Sequence, residues 1–274
     1  TYSLNPAGSD DLPFAQVEQA LTASFQAWEN VPTSAIAFTR GANSSSTVTT
    51  KDGLLQLFWV ENSETTSDGL NLTGALALTR LTVTTSGTRA GEITDAALVF
   101  NGNRYKWAVD GRSDSIDVQE VASHEIGHMI GLSHTPIGGA TMYPRTIAGR
   151  TQSRTLSPDD EIAASVAYPA AGFLTSTGTI RGRVANNSGT SLLGAHVVAV
   201  DANGNVIASA LSQTDGSYSI QGLPPGSYTV YAEPLDPINA AFFTRNDLLS
   251  FYSNASVSFS TSQNFSVNVG AGNS

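Results

Sequence analysis

Hydrophobic positions along the chain follow two different periods, and the change between them falls near residue 170. In residues 12–32 apolar side chains recur at helical spacing, with Pro13 near one end of the run and Pro32 at the other. This spacing places the apolar side chains on one face of a helix. The predicted buried face consists of Phe14, Val17, Leu21, Phe25 and Trp28.

Runs rich in β-branched and other apolar residues, bounded by Gly, Ser, Asn and Asp, predict strands in the rest of this first part. The predicted strands are 2–5, 34–40, 54–60, 75–85 and 92–100. A second helix is predicted after Asp117, a capping residue followed by Glu120 at the third helical position. A third is predicted from Ser157-Pro158, where acids occupy the first turn. The expected architecture is α+β, with a twisted mixed sheet over long helices.

Beyond residue 178 only segments of period two appear, separated by turn residues. The predicted strands are 179–184, 195–200, 206–211, 217–220 and 227–232, and the Ser- and Asn-rich tail adds 257–259 and 265–269. This pattern predicts an all-β sandwich. We therefore expect a first domain at 1–170, a small polar linker at 171–178, and a β-sandwich with a strand-rich extension at 179–274.

The amino-acid composition of the chain argues against several classes of partner and of functional site. The 274 residues carry a formal net charge of −10, which argues against nucleic acid or an anionic membrane as partner. The absence of cysteine excludes a disulfide framework, thiol catalysis and thiolate metal ligands. No apolar run reaches the length of a membrane span. The sequence begins at Thr1 without a signal-peptide pattern, so we expect a processed form or a fragment.

The candidate chemistry lies in the run His-Glu-Ile-Gly-His-Met-Ile-Gly-Leu-Ser-His, which holds three of the chain's four histidines. On a helix, His124 and His128 lie one turn apart and can bind one metal ion. Gly131 can adopt the positive φ that ends a helix, so the chain can return His134 as a third ligand. Three imidazoles leave one tetrahedral zinc position for water, and Glu125 can act as general base on it.

The alternative is an accidental motif in which these histidines are ordinary surface or core residues. The additional Gly131 and His134, in a chain with so few histidines, argue against accident.

Two segments that follow the motif strengthen this interpretation: Thr141-Met142-Tyr143-Pro144, and Leu156-Ser-Pro-Asp-Asp-Glu-Ile162. With the motif, they resemble the matrixin branch of the metzincin zinc metalloendopeptidases. The resemblance covers about residues 2–169. It implies a supporting glycine at 131, a methionine floor beneath the metal at Met142, the general base Glu125, and the zinc ligands His124, His128 and His134.

The resemblance also implies a function: a secreted, extracellular endopeptidase of bacterial type that cleaves proteins or peptides. We expect a monomer. The alternative is a vestigial protease fold that serves as a binding or adhesion module on a cell surface. No histidine precedes His124, so the second, structural zinc of animal matrixins is absent or replaced. Structural calcium is possible, although solvated loop acids are the simpler interpretation of the four candidates, Asp95, Asp110, Asp114 and Asp117.

By the same resemblance, the residue one helical turn before the first histidine lines the pocket for the side chain after the cleaved bond. That residue is Glu120, and Tyr143, Pro144 and Thr146 are the candidate wall. An acid there would favour basic substrates. Alternatively, Arg145 neutralises the charge, or Glu120 reaches back to cap the helix.

The pair Asp159 and Asp160 matches two family acids. One ties the last helix to the methionine turn, and the other can receive the mature N-terminal ammonium group. The alternative is that both acids merely favour the start of the helix.

The second part of the chain has a resemblance of its own. It is similar to carboxypeptidase regulatory-like domains, which are small transthyretin-like β-sandwiches. The similarity rests on Gly182-Arg-Val, Gly194-Ala, Thr214-Asp-Gly-Ser-Tyr and Leu223-Pro-Pro-Gly-Ser-Tyr. It implies architecture more than activity.

Overall fold

A computed structural model describes residues 1–50, 53, 55–235 and 265–271. The described residues form two compact units. The first unit comprises Thr1–Asn30, Ile36–Ser133 and Arg145–Leu156. The second comprises Val31–Ala35, His134–Pro144 and the described residues from Ser157 onward.

A mixed four-stranded sheet forms the centre of the first unit. Its strands are β1 (Tyr2–Leu4), β2 (Leu55–Val60), β3 (Ala77–Val83) and β4 (Ile93–Asn101). They lie in the order β1-β2-β4-β3, with β1, β2 and β4 parallel and β3 antiparallel to β4. The predicted mixed sheet is therefore confirmed.

Helices α1 (Phe14–Glu29) and α2 (Val118–Met129) pack against each other in this unit. The indole Nε1 of Trp28, a fully buried residue of α1, donates a 2.9 Å hydrogen bond to the carbonyl of Ser123 in α2. A short parallel pair, β5 (Trp107–Ala108) with β6 (Ile116–Asp117), leads directly into α2. The buried face of α1 is thus joined to the middle of α2.

The strand predicted at 34–40 is wrong. This segment makes only isolated bridges, at Ser34 and at Arg40. Its backbone donors bind elsewhere: the N–H of Ala35 donates to the carbonyl of Tyr168, and the N–H of Phe38 donates to the Glu29 carboxylate. The segment is apolar enough for a strand, but without a continuous ladder it remains irregular.

The second unit contains helices α3 (Pro158–Ala167) and α4 (Phe173–Ser176) and two antiparallel sheets. One sheet pairs β10 with β7, and the other has the order β12-β11-β8-β9. Their bounds are β7 Gly178–Arg183, β8 His196–Asp201, β9 Val206–Leu211, β10 Ser217–Leu223, β11 Gly226–Glu233 and β12 Phe265–Val269.

Apolar side chains from both sheets share one core, among them Ile180, Val197, Ile220 and Val230. The predicted all-β second part is confirmed, including the strand at 265–269. The strand predicted at 257–259 lies outside the described residues. The domain boundaries at 170 and 178 stay a prediction. None of the described helices combines the length and hydropathy that a membrane span requires.

Candidate metal centre

Helix α2 begins as the sequence indicates. The Asp117 carboxylate accepts a 2.9 Å hydrogen bond from the Glu120 N–H and so caps the helix. The side chain of Asp117 is fully buried and pairs with the guanidinium of Arg154. The start of α2 is therefore fixed both by its cap and by an ion pair.

Helix α2 ends at a glycine with a left-handed backbone. Gly131 has φ 90°, and its N–H donates to the carbonyl of His128. The next N–H, of Leu132, donates to the carbonyl of Gly127. These paired bonds form a Schellman motif, which an L-residue at this φ would strain. The same turn brings the carbonyl of Leu132 to 2.8 Å from Nδ1 of His128.

This contact orients one of the candidate ligands. Because a carbonyl only accepts, Nδ1 of His128 donates to it, and Nε2 is then the ring nitrogen whose lone pair can bind a metal. The rings of His124 and His128 lie 4.7 Å apart and nearly perpendicular.

Three imidazoles converge after this turn. Potential ligand atoms of His124, His128 and His134 all lie within 4.8 Å of one another, and all three residues are half-buried. One ion can bridge nitrogens at such a spacing, and an all-imidazole donor set suits zinc. The residues thus fit a zinc ion. Among the described residues, this is the one group of three or more His, Cys, Asp or Glu side chains that lie close enough together to hold a metal ion.

Glu125 follows the first histidine and is buried. Its Oε2 accepts a 2.7 Å hydrogen bond from the hydroxyl of Thr79 in β3. Burial raises the pKa of the Glu125 carboxyl, while the charge of His128 and the Thr79 hydroxyl act in the opposite direction. A carboxyl group in this environment accepts and releases a proton more readily near neutral pH than an exposed one does.

Met142 is buried in a turn that the second aspartate of the pair holds. The Asp160 carboxylate accepts hydrogen bonds from the N–H groups of Thr141, at 2.8 Å, and Met142, at 3.0 Å. It also accepts from the backbone and hydroxyl of Ser157, which completes a capping box at the start of α3. Asp160 thus ties α3 to the methionine turn. Asp159 has other partners, Ser209 and Thr135.

Glu120 is buried and already engaged. Its oxygens accept from the Thr146 hydroxyl at 2.9 Å and the Ser153 N–H at 2.6 Å, and Arg150 lies 3.5 Å away. Two of the four candidate pocket residues, Glu120 and Thr146, are therefore in direct contact. The other two, Tyr143 and Pro144, are half-buried in and after the methionine turn.

The four aspartates considered for calcium have separate partners. Asp95 accepts from the Gly53 N–H, Asp110 pairs with Arg112, and Asp114 accepts from the Ser115 hydroxyl. Asp117 caps α2 and pairs with Arg154, as described above. Calcium binding stays a prediction.

Sequence reasoning missed Thr79 and Arg154. Thr79 is separated from Glu125 by 46 residues, and Arg154 from Asp117 by 37. No local spacing links such residues. Only two features of the sequence pointed to these residues: a threonine within the apolar strand β3, and an arginine downstream of the histidine motif.

Comparison with known families matches both parts of the chain. Residues 1–169 match the family described as matrixin, and residues 179–236 match the carboxypeptidase regulatory-like domain.

Similar proteins include Metalloendoproteinase 4-MMP of Arabidopsis thaliana, which is 39% identical over 66 residues, 23% of this chain and 19% of the relative. Karilysin of Tannerella forsythia is 43% identical over 47 residues, 17% of this chain and 9% of the relative. Interstitial collagenase of Equus caballus is 33% identical over 134 residues, 49% of this chain and 24% of the relative. The chain thus aligns with less than a quarter of each relative's length.

Proposed function

The chain belongs to the matrixin family, and from this premise we propose that it is a secreted, zinc-dependent endopeptidase that hydrolyses internal peptide bonds of proteins. The observation that carries the proposal is the convergence of three imidazoles beside a buried carboxyl group whose orientation is fixed by a hydroxyl from another strand. His124, His128 and His134 would hold the ion, and Glu125 would be the general base.

Zinc, when bound, supplies a Lewis acid that lowers the pKa of a water molecule towards neutrality and polarises the scissile carbonyl group. Glu125 takes up the proton that this water loses and passes it to the leaving amine. The raised pKa of Glu125 suits both steps, because a carboxyl group must hold the proton before it can donate it.

Two neighbouring groups support these roles. Thr79 donates to Oε2 of Glu125 and fixes where that carboxylate lies. The Leu132 carbonyl accepts from Nδ1 of His128, so Nε2 of that ring is the nitrogen that would hold the ion. Catalytic and ligating atoms that are oriented before substrate arrives lose little entropy when it binds.

Hydrolysis of casein by the full chain, with and without a zinc chelator, tests the proposal together with Glu125→Gln. Glutamine keeps the size of the side chain and an acceptor for Thr79 but cannot take a proton. We expect Glu125→Gln to bind zinc as the wild type does and to lose activity by roughly 10²- to 10⁴-fold.

Zinc lost together with activity in Glu125→Gln would contradict the assignment, because it would make Glu125 structural. Wild-type protein that binds zinc but cleaves no casein or gelatin would favour the alternative, a binding module built on a protease fold. Secretion is tested separately, by assaying culture medium and cell extract of the native producer for the protein.

A further inference from the structure

Helix α3 packs on strands β9 and β10 of the β-sandwich. The contact is close at Gly222 in β10, where an added Cβ would lie 2.8 Å from a methyl carbon of Val166 and 3.0 Å from one of Ile162. Any larger residue at this position would push helix and strand apart. The absence of a side chain at 222 therefore lets α3 lie directly on the sandwich.

A polar contact lies beside this apolar one. The Asp159 carboxylate in the first turn of α3 accepts a 2.9 Å hydrogen bond from the Ser209 N–H in β9. It also accepts one from the hydroxyl of Thr135. Burial raises the pKa of Asp159 to about 6, as expected of a carboxyl group withdrawn from water.

Thr135 connects this carboxylate to the metal-binding segment. It directly follows His134, and its own N–H donates a 3.0 Å hydrogen bond to the carbonyl of Met142. At the other end of the segment, the neighbouring Asp160 binds the N–H groups of Thr141 and Met142. Both ends of His134–Pro144 are thus held from the first turn of α3.

We propose that Asp159 is a positioning residue through which the β-sandwich fixes the segment that carries the third zinc ligand. The sandwich is then part of the structure that supports the metal site. The proposal rests on the zinc site proposed above, but the link itself exists without the ion. The link is a continuous chain of hydrogen bonds through Ser209, Asp159, Thr135 and Met142.

Because of the position of β9, the link can be broken by mutation without disrupting the fold of the sandwich. β9 is last in the order β12-β11-β8-β9, and the Ser209 N–H bonds to Asp159. Proline is tolerated at such outward-facing positions of an edge strand. Ser209→Pro therefore removes one donor, whereas Ser209→Ala keeps the N–H and is the matched control.

The test uses the full chain with Asp159→Ala, Asp159→Asn, Ser209→Pro and Ser209→Ala. Hydrogen exchange of residues 134–144 is measured in zinc-free protein, and zinc affinity is measured by competition with a chromogenic chelator. We expect Asp159→Ala and Ser209→Pro each to speed exchange by about 5- to 10-fold and to weaken zinc binding by roughly 3- to 10-fold. Asp159→Asn keeps an acceptor oxygen and, like Ser209→Ala, should stay near wild type.

The double variant Asp159→Ala/Ser209→Pro should be no worse than Asp159→Ala alone, since that substitution already removes the bond that Ser209→Pro breaks. Additive effects, or a Ser209→Pro variant with unchanged exchange and affinity, would overturn the proposal.

Should Ser209→Pro not fold, Asp159→Ala decides the question. Hydrogen exchange must then rise at Ser209 and at 134–144 together, and a rise at only one of them overturns the link. Wild-type protein that binds no zinc would sink the proposed function, whereas the zinc-free exchange experiment judges the link by itself.

Discussion

The N-terminus of α2 and the first turn of α3 each carry a carboxylate withdrawn from water, but the two are satisfied differently. In α2, Asp117 is fully buried and faces the guanidinium of Arg154. In α3, Asp159 accepts hydrogen bonds from an N–H and a hydroxyl, from Ser209 and Thr135. Arg154 compensates the negative charge of Asp117, whereas neutral donors compensate that of Asp159 only in part.

This difference teaches how each turn responds to its surroundings. Where a buried carboxylate lies opposite an arginine, removing the arginine leaves an uncompensated ion. A buried carboxylate with neutral donors takes up a proton more easily, since burial disfavours the charged form. The start of α2 should therefore be sensitive to mutation, and the start of α3 should be sensitive to pH.

The largest expected effect comes from breaking the ion pair at α2. Arg154→Met should lower the free energy of unfolding by about 3 kcal/mol, because Asp117 stays buried without its partner. Denaturant unfolding measures the change. Arg112→Met is the matched control: its pair with Asp110 is more than half exposed, and the loss of stability should be far smaller than in Arg154→Met. Equal losses in the two variants would contradict the comparison.

The next effect concerns pH at α3. The folded-state pKa of Asp159, about 6, lies above the ordinary value of 3.8, so folding takes up a proton. This contribution is complete below about pH 4 and is lost as pH rises to about 6, which should cost about 1–2 kcal/mol because the residue as a whole keeps part of its surface in water. Asp159→Asn cannot titrate and should lack this loss. Parallel stability curves for the two proteins between pH 4 and 7 would show that Asp159 is not responsible.

A third carboxyl group, Glu125, sharpens the comparison because the donor to its carboxylate, the Thr79 hydroxyl, is also a neutral group. Thr79→Val removes that donor while keeping the shape of the side chain. We expect kcat/KM to fall by about 5- to 10-fold, close to 1 kcal/mol, with zinc affinity unchanged. Thr82→Val in the same strand is the control. A loss of zinc in Thr79→Val would mean that the hydroxyl supports the helix instead of the base.

The smallest effect is expected at Glu120. Its charge already has three partners, Thr146, Ser153 and Arg150, so little remains for a substrate. Cleavage-site profiling should give wild type and Glu120→Gln similar profiles, with less than about 3-fold change in the preference for Lys or Arg after the cleaved bond. A strong basic preference that disappears in Glu120→Gln would show that this carboxylate faces the substrate after all.

Local spacing predicted the parts of the molecule that depend on local geometry. The helix cap at Asp117, the turn at Gly131 and the convergence of the histidines follow from positions a few residues apart. The contacts of Thr79, Arg154 and Ser209 join residues 46, 37 and 50 positions apart. One sequence contains no spacing rule for such pairs, because tertiary packing decides them.

The strand predicted at 34–40 failed for a related reason. Its composition suits a strand, but a strand also needs a neighbour with free backbone groups. Phe38 finds the carboxylate of Glu29 instead. Composition therefore indicated an extended chain, and only the fold determines whether that chain joins a sheet.

The contact at Gly222 has a consequence for synthesis. A ribosome makes the chain from its N-terminus, so helix α3 emerges before β9 and β10 exist. Until Gly222 has been made, Ile162 and Val166 lack the surface on which they pack in the finished protein. The nascent chain therefore carries His124, His128 and His134 before it contains the strand on which α3 packs.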